Sequence, residues 1–284
     1  MMGIFCQKPE ETESKQTVQW QEGKKEMTRE EIMRIALEQS AIDANCRPED
    51  FISGQNRTVI SKANEKARKY LELPSYCMLI SYGDNIVASV DPAVSDEVEK
   101  YLGRFQIGHC FGTPNLYLLN DLFARDDRQI CFMAEYFLPD SERLRAMPCD
   151  YEIRILFPED LESLYLPQWS NALSSQRREL DVLAAGAWHE GKLVGLAGCS
   201  ADCDTMWQIG VDVLPEYRRQ GIAAALTSRL ALEILERGKV PFYCAAWANL
   251  KSVRNAIRCG FEPAWVEVDA RPAAFIKKIN GEAL

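Results

Sequence analysis

The sequence predicts an α/β (α+β) protein laid out as two consecutive mixed blocks, and three observations predict it. Apolar segments with the two-residue period of strands alternate with segments of helical period from Thr28 onward. Two pairs of strand-like segments are joined by short turns, around Gly83-Asp84-Asn85 and at Glu190-Gly191, which marks them as hairpins. The length of 284 residues exceeds one ordinary core and suits two domains.

The elements follow in order. Residues 8–26 are charged and almost aperiodic, so 1–26 is expected to be a flexible leader. Thr28 with Glu31 three residues on, followed by Ile32, Ile35 and Ala36, predicts a capped helix. CMLISYGDNIVASVD predicts the first hairpin, SDEVEKYLGRF a helix capped by Ser95, NLYLLNDLFAR another helix, and QICFMAEYFL an apolar strand. Pro148 interrupts regular structure, so a junction is placed at 146–150, dividing 27–150 from 151–284. The second block restarts with strand YEIRILF, a helix over PEDLESLYLPQW, and the hairpin AAGAWHEGKLVGLAGCSA. Strand and helix order is loosely similar in the two blocks, which leaves a degenerate duplicate open as the origin of the first.

Composition narrows the function classes. Hydrophobic residues at 47% and charged residues at 26% are globular values. No apolar run reaches the ~20 residues of a membrane-spanning helix. The start, MMGIFCQKPEETESKQ, lacks the pattern of a secretory signal, so a cytoplasmic protein is expected. The ten cysteines are scattered without a CxxC pair, and only His109 and His189 could join them. Buried reduced thiols are therefore expected rather than a metal site. A net charge of −9 disfavours nucleic acid and anionic membrane as partners.

One segment is basic where the chain is acidic. WQIGVDV alternates as a strand, with Trp207, Ile209, Val211 and Val213 on one side, and Leu214-Pro215 ends it. Arg218-Arg219-Gln220-Gly221-Ile222-Ala223 then opens a helix whose Ile222, Leu226, Leu230 and Ile234 share one face, with Gly238 closing it. A helix N-terminus offers unpaired N–H groups and partial positive charge to an anion. Gly221 clears space for the main chain to approach it, Ala223 keeps the next turn narrow, and Arg218 and Arg219 add full charges. This predicts a pyrophosphate cradle; the same letters also fit a plain strand–turn–helix with solvated arginines. The GxGxxG spacing of dinucleotide folds is absent. Downstream, strand VPFYCAAWA leads to Asn249, a helix cap, with Ser252 three residues on, and that helix ends at Gly260-Phe261.

Together Val213-Leu214-Pro215, Arg218-x-x-Gly221-x-Ala223, Asn249-x-x-Ser252 and Gly260-Phe261, in this order and spacing over 151–268, resemble the GCN5-related N-acetyltransferases (GNAT). The first block resembles no family. The resemblance implies a GNAT fold with a mixed, mostly antiparallel central sheet flanked by helices, and acetyl-CoA or another acyl-CoA as co-substrate. It further implies that Val211, Asp212 and Val213 pair with the pantetheine arm, and that Arg219, Gln220, Gly221, Ile222 and Ala223 offer N–H groups to the pyrophosphate. Asn249, Ser252 and Asn255 fall where the arm is contacted.

The implied chemistry is direct attack by an amine on the thioester, with a base for the amine proton and an acid for the thiolate. The family's usual acid is a tyrosine at the position of Ala256 here, so Tyr243 or a water is left as donor. Asp212 and Asp204 are the nearest carboxylates for the base, and a bulge customary in that strand leaves their orientation open. His189, in a hairpin turn, reads as a surface histidine. Tyr165, Trp169 and Asn171 could line the acceptor cleft or simply pack. The expected partners are acyl-CoA and an amine-bearing acceptor, with the protein a monomer or homodimer. The rival reading is a non-catalytic acyl-CoA-binding sensor or interaction protein.

Overall fold

The computed structural model describes residues 27–281, so the leader expected over 1–26 lies outside the described residues. The first helix, α1 (Arg29–Ala44), opens as its letters predict. The Thr28 hydroxyl accepts from the Glu31 N–H at 3.2 Å, and the Glu31 carboxylate accepts from the Thr28 N–H at 2.9 Å. Such a cap stabilises a helix by about 1 kcal/mol.

Strands β1 (Arg57–Ile60), β2 (Cys77–Ser81) and β3 (Val87–Val90) precede helices α2 (Ser95–Arg104), α3 (Ile107–Cys110) and α4 (Thr113–Phe123), and strand β4 (Arg128–Pro139). The second part runs β5 (Glu152–Leu156), α5 (Pro158–Leu161), β6 (Asp181–His189), β7 (Lys192–Ser200), β8 (Met206–Val213), α6 (Ile222–Glu236), β9 (Val240–Ala246), α7 (Leu250–Arg258), β10 (Phe261–Pro272) and α8 (Ala273–Ile279). Both hairpins form as expected, with Ile80 opposite Val87 and His189 opposite Lys192.

Two local expectations change. Ser95 is the first residue inside α2 rather than its cap, because the Asp91 carboxylate caps a short 3-10 turn over Pro92–Val94 that leads into it. The helix expected over PEDLESLYLPQW is one α turn followed by 3-10 turns at Glu162–Leu164 and Pro167–Trp169. Pro167 has no N–H to continue a helix, and Leu166 before it is extended.

All ten described strands form one sheet in the order β1-β3-β2-β10-β4-β9-β8-β7-β6-β5. Only β1/β3 and β8/β9 run parallel; every other pair is antiparallel. The expected junction at 146–150 falls in the coil between β4 and β5, yet the sheet is continuous across it. β4, from before the junction, lies between β9 and β10, from after it.

Side chains sort by parity onto two faces. On one, α1 packs Ile32 and Ala36 against Tyr136, Phe242 and Trp265, and the 158–173 segment packs Leu161 and Trp169 against Ala184 and Leu196. On the other, α6 and α7 cover Leu183, Ile209, Tyr243 and Phe261, while α2 and α4 cover Leu79 and Val268. Each large apolar side chain so buried contributes about 1.5–3 kcal/mol. No helix among the described residues is long and apolar enough to cross a membrane.

Candidate active site

The two parallel central strands part company midway. β8 and β9 pair from Met206↔Val240 to Ile209↔Tyr243, but β8 continues to Val213 and β9 to Ala246. Each keeps its outer neighbour over that stretch: β8 holds β7 as far as Gly195↔Val213, and β9 holds β4 as far as Ala134↔Ala246. The inner edges therefore diverge with backbone N–H and C=O groups facing a gap, and such groups need a partner. Val211, Asp212 and Val213 lie on this open edge. The customary bulge is absent. Register against β7 is unbroken from Ser200↔Gln208 to Gly195↔Val213, so parity holds, and Gln208, Gly210 and Asp212 share one face.

Where β8 ends, the chain makes the turn expected to cradle an anion. Arg219 and Gly221 both take left-handed backbone, at φ 65° and 83°. Gly221 is the N-cap of α6 and supplies no side-chain cap. Among the described residues, no acceptor of the chain meets the N–H groups of Arg219, Gln220, Gly221, Ile222 or Ala223. The space above Gly221 is open, since a Cβ there would meet only the Pro148 carbonyl oxygen at 3.8 Å. Glycine is thus required by its φ as well as by approach. Arg218 donates from Nε to the Val213 carbonyl at 3.0 Å, which ties the turn to the strand end. The Tyr151 hydroxyl donates to the Gln220 side-chain oxygen, bracing the turn from the residue just before β5.

A second row of cations completes this concavity. Its lining of about 250 Å³ includes Arg218, Arg219, Lys251, Arg254 and Arg258, and no carboxylate. Sequence reasoning missed the three on α7. Their spacing of three and four puts them on one helix face, a signal that was present in the letters.

On the opposite face, the 165–177 segment roofs a cavity of about 500 Å³ over the sheet. Its floor includes Asp181, Ser200 and Gln208, which stand side by side across β6, β7 and β8, and it reaches Gly210 where β8 leaves β9. The roof is pressed close. A Cβ on Gly210 would lie 1.8 Å from the Asn171 carbonyl oxygen, so only glycine fits beneath it.

Asp212, expected near the reacting groups, is engaged by the roof. Its carboxylate accepts from the Asn171 N–H at 2.8 Å, the Ala172 N–H at 3.0 Å and the Asn171 side chain at 2.6 Å. Three donors from the roof on one carboxylate make Asp212 a clamp between β8 and the 165–177 segment. Asp204 lines neither cavity, and neither does His189, whose ring stacks edgewise on Tyr151 and Tyr217 at the surface.

The carboxylate that does line the cavity is Asp181, which the sequence reading missed. It is 3% exposed and accepts from the Ser174 N–H at 2.8 Å, while the Tyr165 hydroxyl beside it donates to the Arg178 carbonyl at 3.4 Å. Burial pushes it up to about 6, against the pull of Ser174, Tyr165 and Arg177, with Asp202 raising it further. Tyr165 and Asn171 line the cavity as expected, while Trp169 packs in the core beside it at 2% exposed.

Tyr243 sits at the fork itself, facing α7. Its hydroxyl meets the side chains of Ser252 and Asn255, and burial raises it above the ordinary phenol range. Asn255 also donates to Thr227 at 3.0 Å and lines the cationic concavity. Asn249 is the cap of α7, accepting from the Ser252 N–H at 3.3 Å. Its side-chain oxygen therefore serves the helix. Ala256 is wholly buried in the core, so the position usual for the acid is closed to a ligand.

Residues 130–264 match the family model described as GNAT acetyltransferase, a span that begins within β4. The chain is similar to a solved GCN5-related N-acetyltransferase-like protein from Streptococcus suis, at 23% identity over 55% of this chain and 67% of that one, TM-score 0.40. It is similar to a GCN5-related N-acetyltransferase from Kribbella flavida at 18% identity over 54% and 62%, TM-score 0.41. The aminoglycoside N-acetyltransferase AAC(6')-Iy, solved in complex with CoA, is 20% identical over 43% and 93%, TM-score 0.33. The chain thus spans about two thirds of the first of these proteins and less of the second. No curated protein matches it.

Proposed function

We propose that this chain, whose residues 130–264 match the GNAT acetyltransferase model, transfers an acetyl group from acetyl-CoA to a primary amine within a ternary complex. One observation carries the reading. The stretch of β8 that parts from β9 has a polar cavity at Gly210 on one face of the sheet and a cationic concavity at Val213 beside the turn.

Each group then has a task. The free N–H groups from Arg219 to Ala223, with Arg218 and Arg219, hold the pyrophosphate. The open edge at Val211–Val213 pairs with the pantetheine amides, which delivers the thioester to the fork at Ile209 and Tyr243. The amine enters from the roofed cavity and attacks the thioester carbonyl; the C–N bond forms and the C–S bond breaks. Asp181 receives the amine proton through water, its raised affinity for a proton suiting that task near neutral pH. Tyr243, kept protonated by burial, donates to the departing thiolate.

The test is CoA release measured against a panel of small cationic amines. Turnover of at least one supports the reading. The buried Ala256 at the usual acid position favours a second reading, a non-catalytic acyl-CoA sensor. Tight CoA binding with no turnover on any amine would establish that reading instead.

A further inference from the structure

The cations of the cradle outnumber what a pyrophosphate needs. Arg218 and Arg219 stand at the turn itself, beside N–H groups that no acceptor of the chain meets among the described residues. Lys251, Arg254 and Arg258 belong to a separate element, α7, and line the far wall of the same concavity. Seven residues of helix place Lys251 and Arg258 about 10 Å apart along the axis, a row that extends well past one phosphate pair. None of these three has a carboxylate partner among the described residues, although the chain as a whole carries nine more acidic than basic residues. The nearest acidic group to the turn, Glu216, feels Arg218 but is paired with Lys192 at 3.3 Å. Three uncompensated like charges on one helix face repel each other and destabilise the helix, at roughly 0.2–0.5 kcal/mol per neighbouring pair. A bound anion would offset that cost.

We propose that Lys251, Arg254 and Arg258 recognise the 3′-phosphate of the CoA nucleotide, and so make the enzyme selective for CoA over its dephosphorylated form. This rests on the acetyl-CoA reading above. Pyrophosphate and 3′-phosphate are the two anionic centres of CoA, separated by the ribose. The turn takes the first, and the α7 row, across the concavity from the turn, takes the second.

The experiment compares CoA with dephospho-CoA, which lacks only that phosphate, by calorimetric titration of the full chain and of the K251Q/R254Q/R258Q variant. The wild type should bind CoA roughly tenfold or more tightly than dephospho-CoA, the worth of one charged hydrogen bond. The variant should bind the two ligands alike, with its dephospho-CoA affinity close to that of the wild type. All three side chains are exposed, so the unliganded melting temperature serves as the folding control. Equal affinity of the wild type for both ligands, or a variant that still prefers CoA, overturns the proposal while leaving the acetyltransferase reading intact. Failure of both ligands to bind the wild type overturns both.

Discussion

Ile209 and Tyr243 form the last rung of the parallel ladder between β8 and β9, and their side chains lie in the same core beneath α6 and α7. That packing sets the depth of the fork. Above it the strands are held apart by their outer partners, β7 and β4, rather than by anything between them. A gap braced from outside stays open without its ligand, which is the condition for a strand-like arm to enter it.

The cradle should answer to charge at its centre. Acetyl-CoA at a hundredfold excess over its Kd should stabilise the protein by about 2.7 kcal/mol, read as a rise in Tm. Gly221→Asp places an anion where the phosphates belong and should remove that rise. A variant that keeps the wild-type response would place the nucleotide elsewhere.

Asp181 makes a prediction with a sign. Because burial holds it up at about 6, the native state binds its proton over a window in which the unfolded chain, with an ordinary aspartate near 3.9, has released it. Its contribution to stability therefore falls as pH rises from about 4 to about 6, and Asp181→Asn should flatten that segment of the Tm–pH curve. The same variant should lose roughly a hundredfold in kcat/KM at neutral pH, together with the rise in activity through pH 6. The asparagine oxygen can still accept from Ser174, so a folded variant with an unchanged pH profile would exclude Asp181 as the proton acceptor.

Tyr243→Phe removes only the hydroxyl that meets Ser252 and Asn255. It should lower kcat by roughly tenfold to a hundredfold, less than the full worth of an acid because water substitutes in part. Stability should fall by about 1 kcal/mol. A kcat equal to wild type across pH would make Tyr243 a core residue and solvent the donor.

Asp212→Ala should separate the two ligands. It frees the roof at Asn171 and Ala172, costing about 2 kcal/mol for hydrogen bonds to a charged group. The KM for amine should rise while CoA affinity holds within about twofold, since the pantetheine partners in that stretch are backbone groups. Loss of CoA binding with no change in amine KM would run against the clamp.

Residues 151–284 expressed alone should fail to give a cooperative melt. They lack β4, whose Phe137 is fully buried with Tyr243 and Phe261, and which fills the space between β9 and β10. A soluble fragment that binds CoA would show the two parts to be independent.

Much of this was legible in the letters because it is local. The Thr28–Glu31 cap, the hairpins at Gly83 and Glu190, and the Arg218–Ala223 turn each depend on residues within a few positions of one another, where spacing alone implies geometry. The α7 row was equally local and was simply not read. The Ser95 cap failed for a local reason too, since Asp91 competes for the same helix entry.

What only the tertiary structure decided is non-local. β4 inserts beside β10, more than a hundred residues away in sequence, and nothing in its period of two names that neighbour. The fork ends at Ile209↔Tyr243 because outer strands hold the inner ones apart, a property of four strands at once. Asp212 and Asp181 look alike in the sequence. One is pinned by three donors from a loop that folds back over glycine, the other is buried at a cavity wall, and the environment that divides their roles exists only after folding.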